Sequence, residues 1–455
     1  MAAESKFRYM RNPLAMFGGW LTTVSAALFL VLFFADLFGL PMNPYMGIVA
    51  FLILPGLFVA GLVLIPAGLY LAHRREQRGK DLGLTTWPVL DLNRTRTRTV
   101  AGILIFLTFA NIIVISLAAL RGIEYMDSPQ FCGQVCHTVM QPEYTAYING
   151  PHARVPCVSC HIGPGAPWFV KSKLSGTRQL FAVALDTYPT PIPSPVENLR
   201  PARDTCEQCH WPEKFTGDVV KPFTTFGDDE ANTPATTTLR LHIGSGSGAG
   251  ATGIHWHMAP STRVTYITTD PKRQTIVYVE VADRNGTRAF RAEGVTDAQL
   301  ARGERRTMDC MDCHNRPSHR FDSTPERAVD AALSSGFMSK TLPFVRREAV
   351  AALKVSYPTR EAAAAGIGRR LTDFFNAQLG GEAAGRKAEI AGAIAATRAI
   401  YDRDVFPDMQ VGFGTHLDNL GHTDFPGCFR CHDDAKKTKD GAVIKQDCEL
   451  CHKME

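Results

Sequence analysis

The chain has 455 residues, 45% of them hydrophobic and 20% charged, which excludes a disordered or fibrous protein and allows about three domain-sized pieces. Its net charge of +5 arises wholly in residues 1–120, which hold ten Lys/Arg against five Asp/Glu; residues 121–455 hold 39 of each. A nucleic-acid-binding surface is therefore not indicated, and the apolar N-terminal quarter excludes a soluble cytosolic protein.

Leu14–Ala35, Met46–Leu71 and Thr99–Leu120 are uncharged runs of 22, 26 and 22 residues. Each exceeds the roughly 20 residues that cross a bilayer as a helix. Pro55 and Pro66 fall inside the second run and predict a kink. Lys6, Arg8 and Arg11 precede the first run, and Arg74, Arg75, Arg78, Lys80, Arg94, Arg96 and Arg98 join the second to the third. The connection Phe38–Tyr45 has no Lys or Arg. Positive loops stay inside, so the N-terminus is expected in the cytoplasm and everything after Leu120 on the outer side. The first run is longer than a signal-peptide core and lacks a small-x-small cleavage site, which favours an uncleaved anchor.

All twelve cysteines lie beyond the third run, in six pairs, each followed at once by histidine. The first is Cys132-Gly-Gln-Val-Cys136-His137, with three residues between the cysteines. The others are CxxCH: Cys157/Cys160/His161, Cys206/Cys209/His210, Cys310/Cys313/His314, Cys428/Cys431/His432 and Cys448/Cys451/His452. CxxCH is the attachment signature of c-type haem. Two thiols form thioethers with the vinyl groups on one porphyrin edge, and the next residue is set under the iron as its proximal imidazole. Structural zinc or disulfides would use the cysteines but would not require a histidine after every second one. Six covalent haem c groups are expected, and no cysteine is left over.

Fourteen histidines less six proximal ones leave eight, of which His73 lies on the cytoplasmic side. The other seven, His152, His242, His255, His257, His319, His416 and His422, nearly match six distal positions. His152, His319, His416 and His422 are favoured because each lies close to a motif. His255 and His257 in GIHWHM share a face if that segment is a strand, with one of the two expected on iron. Met140 is a further distal candidate, and its thioether would raise the potential. Iron held by two histidines has no open position, so such haems pass electrons and bind no substrate. Their propionates would turn the neutral outer region acidic, which suits a basic partner.

Beyond the membrane runs, residues 121–215 carry three motifs with short connections, so porphyrins must supply the core. Trp168–Leu185 reads as an amphipathic helix opened by Pro167, followed by a Pro-rich linker. Residues 216–305 form a small β insertion, with strands expected at Thr237–Ile243, Val264–Thr269, Thr275–Ala282 and Thr287–Ala292, and a flexible loop at Gly244–Gly253. Residues 306–410 join the fourth motif to a helical scaffold broken near Tyr357-Pro358, and 411–455 form a two-haem module. The fold class expected is a membrane-anchored multihaem cytochrome: three N-terminal transmembrane helices (1–120), then a mainly α-helical, loop-rich, haem-packed periplasmic region.

The run CHTVMQPEYTAYINGPHARVPCVSCHIGPG (Cys136–Gly165) resembles the NapC/NirT family of membrane-anchored multihaem quinol dehydrogenases, in detail the longer inner-membrane members of metal-respiring bacteria. The resemblance covers about residues 99–215. It implies oxidation of menaquinol to menaquinone at the membrane face and electron flow through periplasmic haems to periplasmic cytochromes or a reductase. It implies that Met140 serves the first haem, that Lys173 binds the quinone oxygen and that His152 ligates another haem. The first motif has one more residue than usual, and the acidic residue expected after the lysine is absent, Asp186 being the nearest. Two other functions fit the same motifs: an electron-relay subunit of a larger membrane complex, and a terminal reductase of a nitrite-like substrate with one open haem.

Overall fold

The computed structural model describes residues 12–37, 53–79, 91–135, 137–162, 166–195, 200–244 and 252–454. Lys6, Arg8, Arg11, the Phe38–Tyr45 connection, Lys80, Cys136 and most of the Gly244–Gly253 run lie outside those residues. The chain divides into two units, Met1–Val135 and Cys136–Glu455.

In the first unit, α1 (Pro13–Leu37) and α2 (Leu54–Gln77) pack against each other over most of their length. Small residues make the contact: a methyl group on Gly18 would lie 2.8 Å from the Gly61 carbonyl, and one on Gly68 would lie 2.9 Å from Ala15 Cα. Lipid gives helices no hydrophobic drive to associate, so close backbone approach at small residues is what holds such a pair. The outer faces carry exposed Phe17, Trp20, Val31, Leu62 and Val63, which suits lipid and not water. Both helices are long and apolar enough to cross a membrane. Pro55 proves to sit in the first turn of α2, where a missing N–H costs nothing, and only Pro66 is internal. α3 (Thr95–Met126) contains the third apolar run and spans about 48 Å at 1.5 Å per residue.

The second unit begins with α4 (His137–Ile148), α5 (Cys157–His161), α6 (Ala166–Ala184) and α7 (Ala202–Cys206). Two antiparallel sheets follow. One has the order β1 (Asp218–Phe226), β2 (Pro234–His242), β8 (His452–Met454). The other places β3 (Arg263–Thr268), β4 (Ile276–Asp283) and β5 (Gly286–Ala292) between β6 (Glu304–Thr307) and β7 (Lys436–Lys437). The four expected strands are present as β2 to β5. Each sheet also takes a strand from the last 20 residues, which ties the C-terminal motifs to it. Short helices α8 (Asp297–Arg302) and α9 (Cys310–Cys313) lead to α10 (Pro325–Ser334), α11 (Val345–Leu353), α12 (Arg360–Leu379) and α13 (Lys387–Asp404). Thr324 and Thr359 cap α10 and α12 with their side chains.

The four long helices enclose the main core, with Val329, Leu333, Leu342, Val345, Ile367, Leu371 and Phe375 fully buried. At its edge Asp404 is buried beside Arg403 and Asp322, and burial pushes its carboxyl up to about 6. Raising an acid above its unfolded value means the fold prefers it protonated, so this contribution is complete below about pH 4 and lost as pH rises to about 6. Asp404→Asn should therefore gain thermal midpoint over the wild type between those pH values. A constant difference across the range, read by calorimetry, would contradict the assignment.

A candidate chain of axial histidine pairs

Each CxxCH segment is one helical turn, for a reason visible in the backbone. The amide of His210 bonds the Cys206 carbonyl at 2.8 Å, His314 bonds Cys310 at 2.8 Å and His432 bonds Cys428 at 3.0 Å. That closure sets the two thiols a turn apart on one side and brings the histidine beneath them. The extra residue of the first motif is absorbed in a π-helical turn, Phe131–Val135. None of the eleven described cysteines forms a disulfide. Burial pushes the Cys431 thiol up to about 11 and that of Cys313 up to about 12, so neither acts as a thiolate nucleophile.

Five proximal histidines each face a histidine from a distant part of the chain. His161 faces His319 with ring centroids 6.1 Å apart, His210 faces His152 at 6.1 Å and His314 faces His255 at 6.3 Å. His432 faces His257 at 6.0 Å and His452 faces His422 at 6.1 Å. Two imidazoles on opposite sides of one metal, each with a bond of about 2.0–2.1 Å, bring their ring centres to about this separation. The second nitrogen is spoken for as well. Nδ1 of His152, His319, His255 and His257 bonds the carbonyls of Pro317 (3.1 Å), Glu143 (2.9 Å), Ile243 (2.9 Å) and Ile254 (2.8 Å). Such bonds put the proton on Nδ1 and leave Nε2 as a lone-pair donor, the arrangement metal-bound histidines show. Burial holds His257 and His314 below their ordinary pKa, which favours the neutral, ligating form.

Among the described residues no three His, Cys, Asp or Glu side chains converge as a metal cage. Each pair offers axial donors alone, and a tetradentate macrocycle fixed by the adjacent thiols supplies what the pair lacks. The donor set fits haem c.

The motifs also follow one another in space. Cys206 interacts electrostatically with Cys310, Cys160 with Cys209, Cys313 with Cys428, and Cys451 with Cys428. The second to sixth motifs thus run as neighbours in chain order.

The segment of His255 and His257, whose rings would share a face on a strand, is a 3₁₀ turn, Ile254–Met258. With three residues per turn, positions two apart point in divergent directions, and each histidine reaches a different motif. Among the described side chains His242 faces no proximal histidine, and it is bonded to Asp218 at 3.0 Å. His416 does not either. It is buried against Phe321, with Nε2 3.9 Å from Glu143, and burial pushes it down to about 4. Met140 is half-buried on α4, three residues after His137. Lys173 belongs to α6.

Sequence reasoning passed over Glu143 and Arg316. The Arg316 guanidinium donates to both Glu143 oxygens at 3.0 and 2.9 Å and to the His319 carbonyl, and Glu143 also lies 3.3 Å from His319 Nδ1. This half-buried pair holds His319 in place. The signal was an arginine three residues before a candidate ligand and a glutamate soon after the first motif.

Comparison with known proteins agrees with this geometry. Residues 94–192 match the N-terminal region of the NapC/NirT cytochrome c family. The chain is 38% identical over 450 residues, 98% of its length and 88% of the relative's, to the cytochrome c-type protein ImcH of Geobacter sulfurreducens. No solved structure matches. Covalently bound haem c and a role in electron transport follow from these matches. The chain belongs to the NapC/NirT family of membrane-anchored c-type cytochromes.

Proposed function

We propose that this chain is an inner-membrane hexahaem quinol dehydrogenase that oxidises menaquinol and passes the electrons to a periplasmic acceptor in anaerobic respiration. The five histidine pairs carry the proposal. His161/His319, His210/His152, His314/His255, His432/His257 and His452/His422 would hold the irons of haem c, and the motif cysteines would attach the porphyrins. Bound there, haem supplies one-electron redox chemistry. The residues do the rest: each pair would offer the iron two imidazoles, the Nδ1 hydrogen bonds keep Nε2 unprotonated, and the fold sets successive motifs side by side.

At the first motif, His137 and Met140 stand three apart on α4 and so share a face of that helix. The motif starts 12 residues after the third apolar run, in keeping with a position near the membrane surface. Quinol oxidation releases two electrons and two protons, and Lys173 orients the ring oxygen by hydrogen bonding. Lys173→Ala should slow reduction by a menaquinol analogue roughly 100-fold and leave reduction by dithionite unchanged. Full rate in this variant would remove Lys173 from the site. No reduction in the wild type would favour a relay subunit fed by a partner. The paired ligands leave a terminal reductase only the first motif for an open position.

A further inference from the structure

A porphyrin of the c type brings carboxylates as well as iron. Its propionates need cations or N–H donors wherever the protein shuts them from water. Several described side-chain atoms are closed to solvent and lack any hydrogen-bond partner, and four of them lie on the segment leading into the third motif or on one tied to it. They are Nε and Nη1 of Arg200, Oγ1 of Thr205 and Oγ1 of Thr262. Arg200 stands just before α7, and Thr205 adjoins Cys206. Thr262 lies in the turn after Ile254–Met258, the segment carrying His255 and His257. Arg203 ties the two segments together by donating to the Met258 carbonyl at 2.8 Å.

Elsewhere in the chain shielded arginines find acceptors, and buried Arg430 donates to the carbonyls of Gly427, Arg273 and Asp312. Arg316 has Glu143, Arg346 has Asp330 and Arg403 has Asp404. Arg273 and Arg306, which also have a shielded Nε, both pair with Glu304. Arg200 has no such ion pair among the described residues. A guanidinium left with closed-off, unpaired donors is strongly destabilising, and its fork matches a carboxylate.

We infer that Arg200, assisted by Thr205 and Thr262, is a counter-site for a haem propionate at the third motif. This rests on the assignment of haem c to Cys206, Cys209, His210 and His152. A fixed positive charge there keeps the propionate ionised and favours the ferrous state, which carries one positive charge fewer than the ferric. Arg200 is thus a positioning and potential-setting residue and not a catalytic one.

The test uses the full-length, haem-loaded protein. In Arg200→Gln, redox titration followed by electron paramagnetic resonance should show one low-spin haem shifted at least tenfold toward its oxidised form, about 59 mV for a one-electron couple. That haem should be the one with ring planes 79° apart. Arg200→Lys should recover most of the shift because it keeps the charge. Unchanged potentials in Arg200→Gln with full haem content by pyridine spectra would overturn the counter-site and leave the haem assignment standing. Bare thiols at Cys206 and Cys209 in the wild type, read by mass spectrometry, would bring down both. If Arg200→Gln does not mature, Arg200→Lys decides. It loses the fork, so the propionate bending mode in resonance Raman should move, and an unmoved mode would overturn the inference.

Discussion

Replacing His257 with alanine is expected to turn one low-spin haem high-spin, and replacing His255 is expected to do the same to a different haem. The two residues share a five-residue turn, yet their rings face His432 and His314 respectively. The spectra of the intact protein should already tell the two apart. The His255 and His314 rings lie 4° from parallel, whereas those of His257 and His432 are 84° apart. Parallel imidazole planes split the iron orbitals that they overlap and give a rhombic resonance. Crossed planes leave those orbitals nearly equal in energy and give a strongly axial one. His255→Ala should therefore remove a rhombic signal, and His257→Ala an axial one. Loss of a distal imidazole should also change the potential of that haem, since axial ligation is one of its main determinants. His242→Ala, whose ring faces Asp218, is the control and should leave every haem low-spin. A high-spin signal in the control, or none in His257→Ala, would refute the ligand assignment.

How much of this could be read from the sequence depends on the range of each interaction. Attachment is a local event, so the motif cysteines and their histidines could be read directly. The scaffold helices were visible in their Ala, Arg, Glu and Leu content, and β3 to β5 in their Val, Ile and Tyr with turns between. The pairing of distal ligands could not be read, because His161 meets His319 and His314 meets His255 only once the chain has folded. His416 lies 12 residues before Cys428 in sequence, yet in the fold it packs against Phe321 and Glu143. GIHWHM alternates like a strand, yet Gly253, at φ 73°, turns the chain into a 3₁₀ helix. β1 was hidden by Asp218 and Pro222, residues that edge strands tolerate and central ones do not. β7 and β8, of two and three residues, are too short to leave a pattern.

Prevention of haem attachment should split the second unit into a protease-resistant piece and a digestible remainder. The main core consists of side chains alone. It is built by α10 to α13, from Ala328 to Tyr401, with Phe226 from β1, and it contains no motif cysteine or histidine. Its burial of Leu, Ile, Val and Phe does not depend on porphyrin. The region of α4 to α7 differs. Among its described residues the buried apolar side chains are Val139, Ala146, Tyr147 and Ala202, and the cluster that includes Val139 and Ala146 borrows Phe321, Phe406, Met409 and Val411 from far along the chain. Without iron, the ring pairs at about 6 Å have no bond to hold them, and the segments they join are free to part. Local unfolding should then expose residues 137–215 and the C-terminal motifs while α10 to α13 stay closed. Limited trypsin digestion of a variant with the motif cysteines replaced by alanine should leave a fragment spanning roughly residues 325–404, readable by mass spectrometry. The haem-loaded protein should resist throughout this unit. Equal resistance of the two forms would mean that the polypeptide packs by itself around the histidine pairs, and that the porphyrins do not hold the motif regions together.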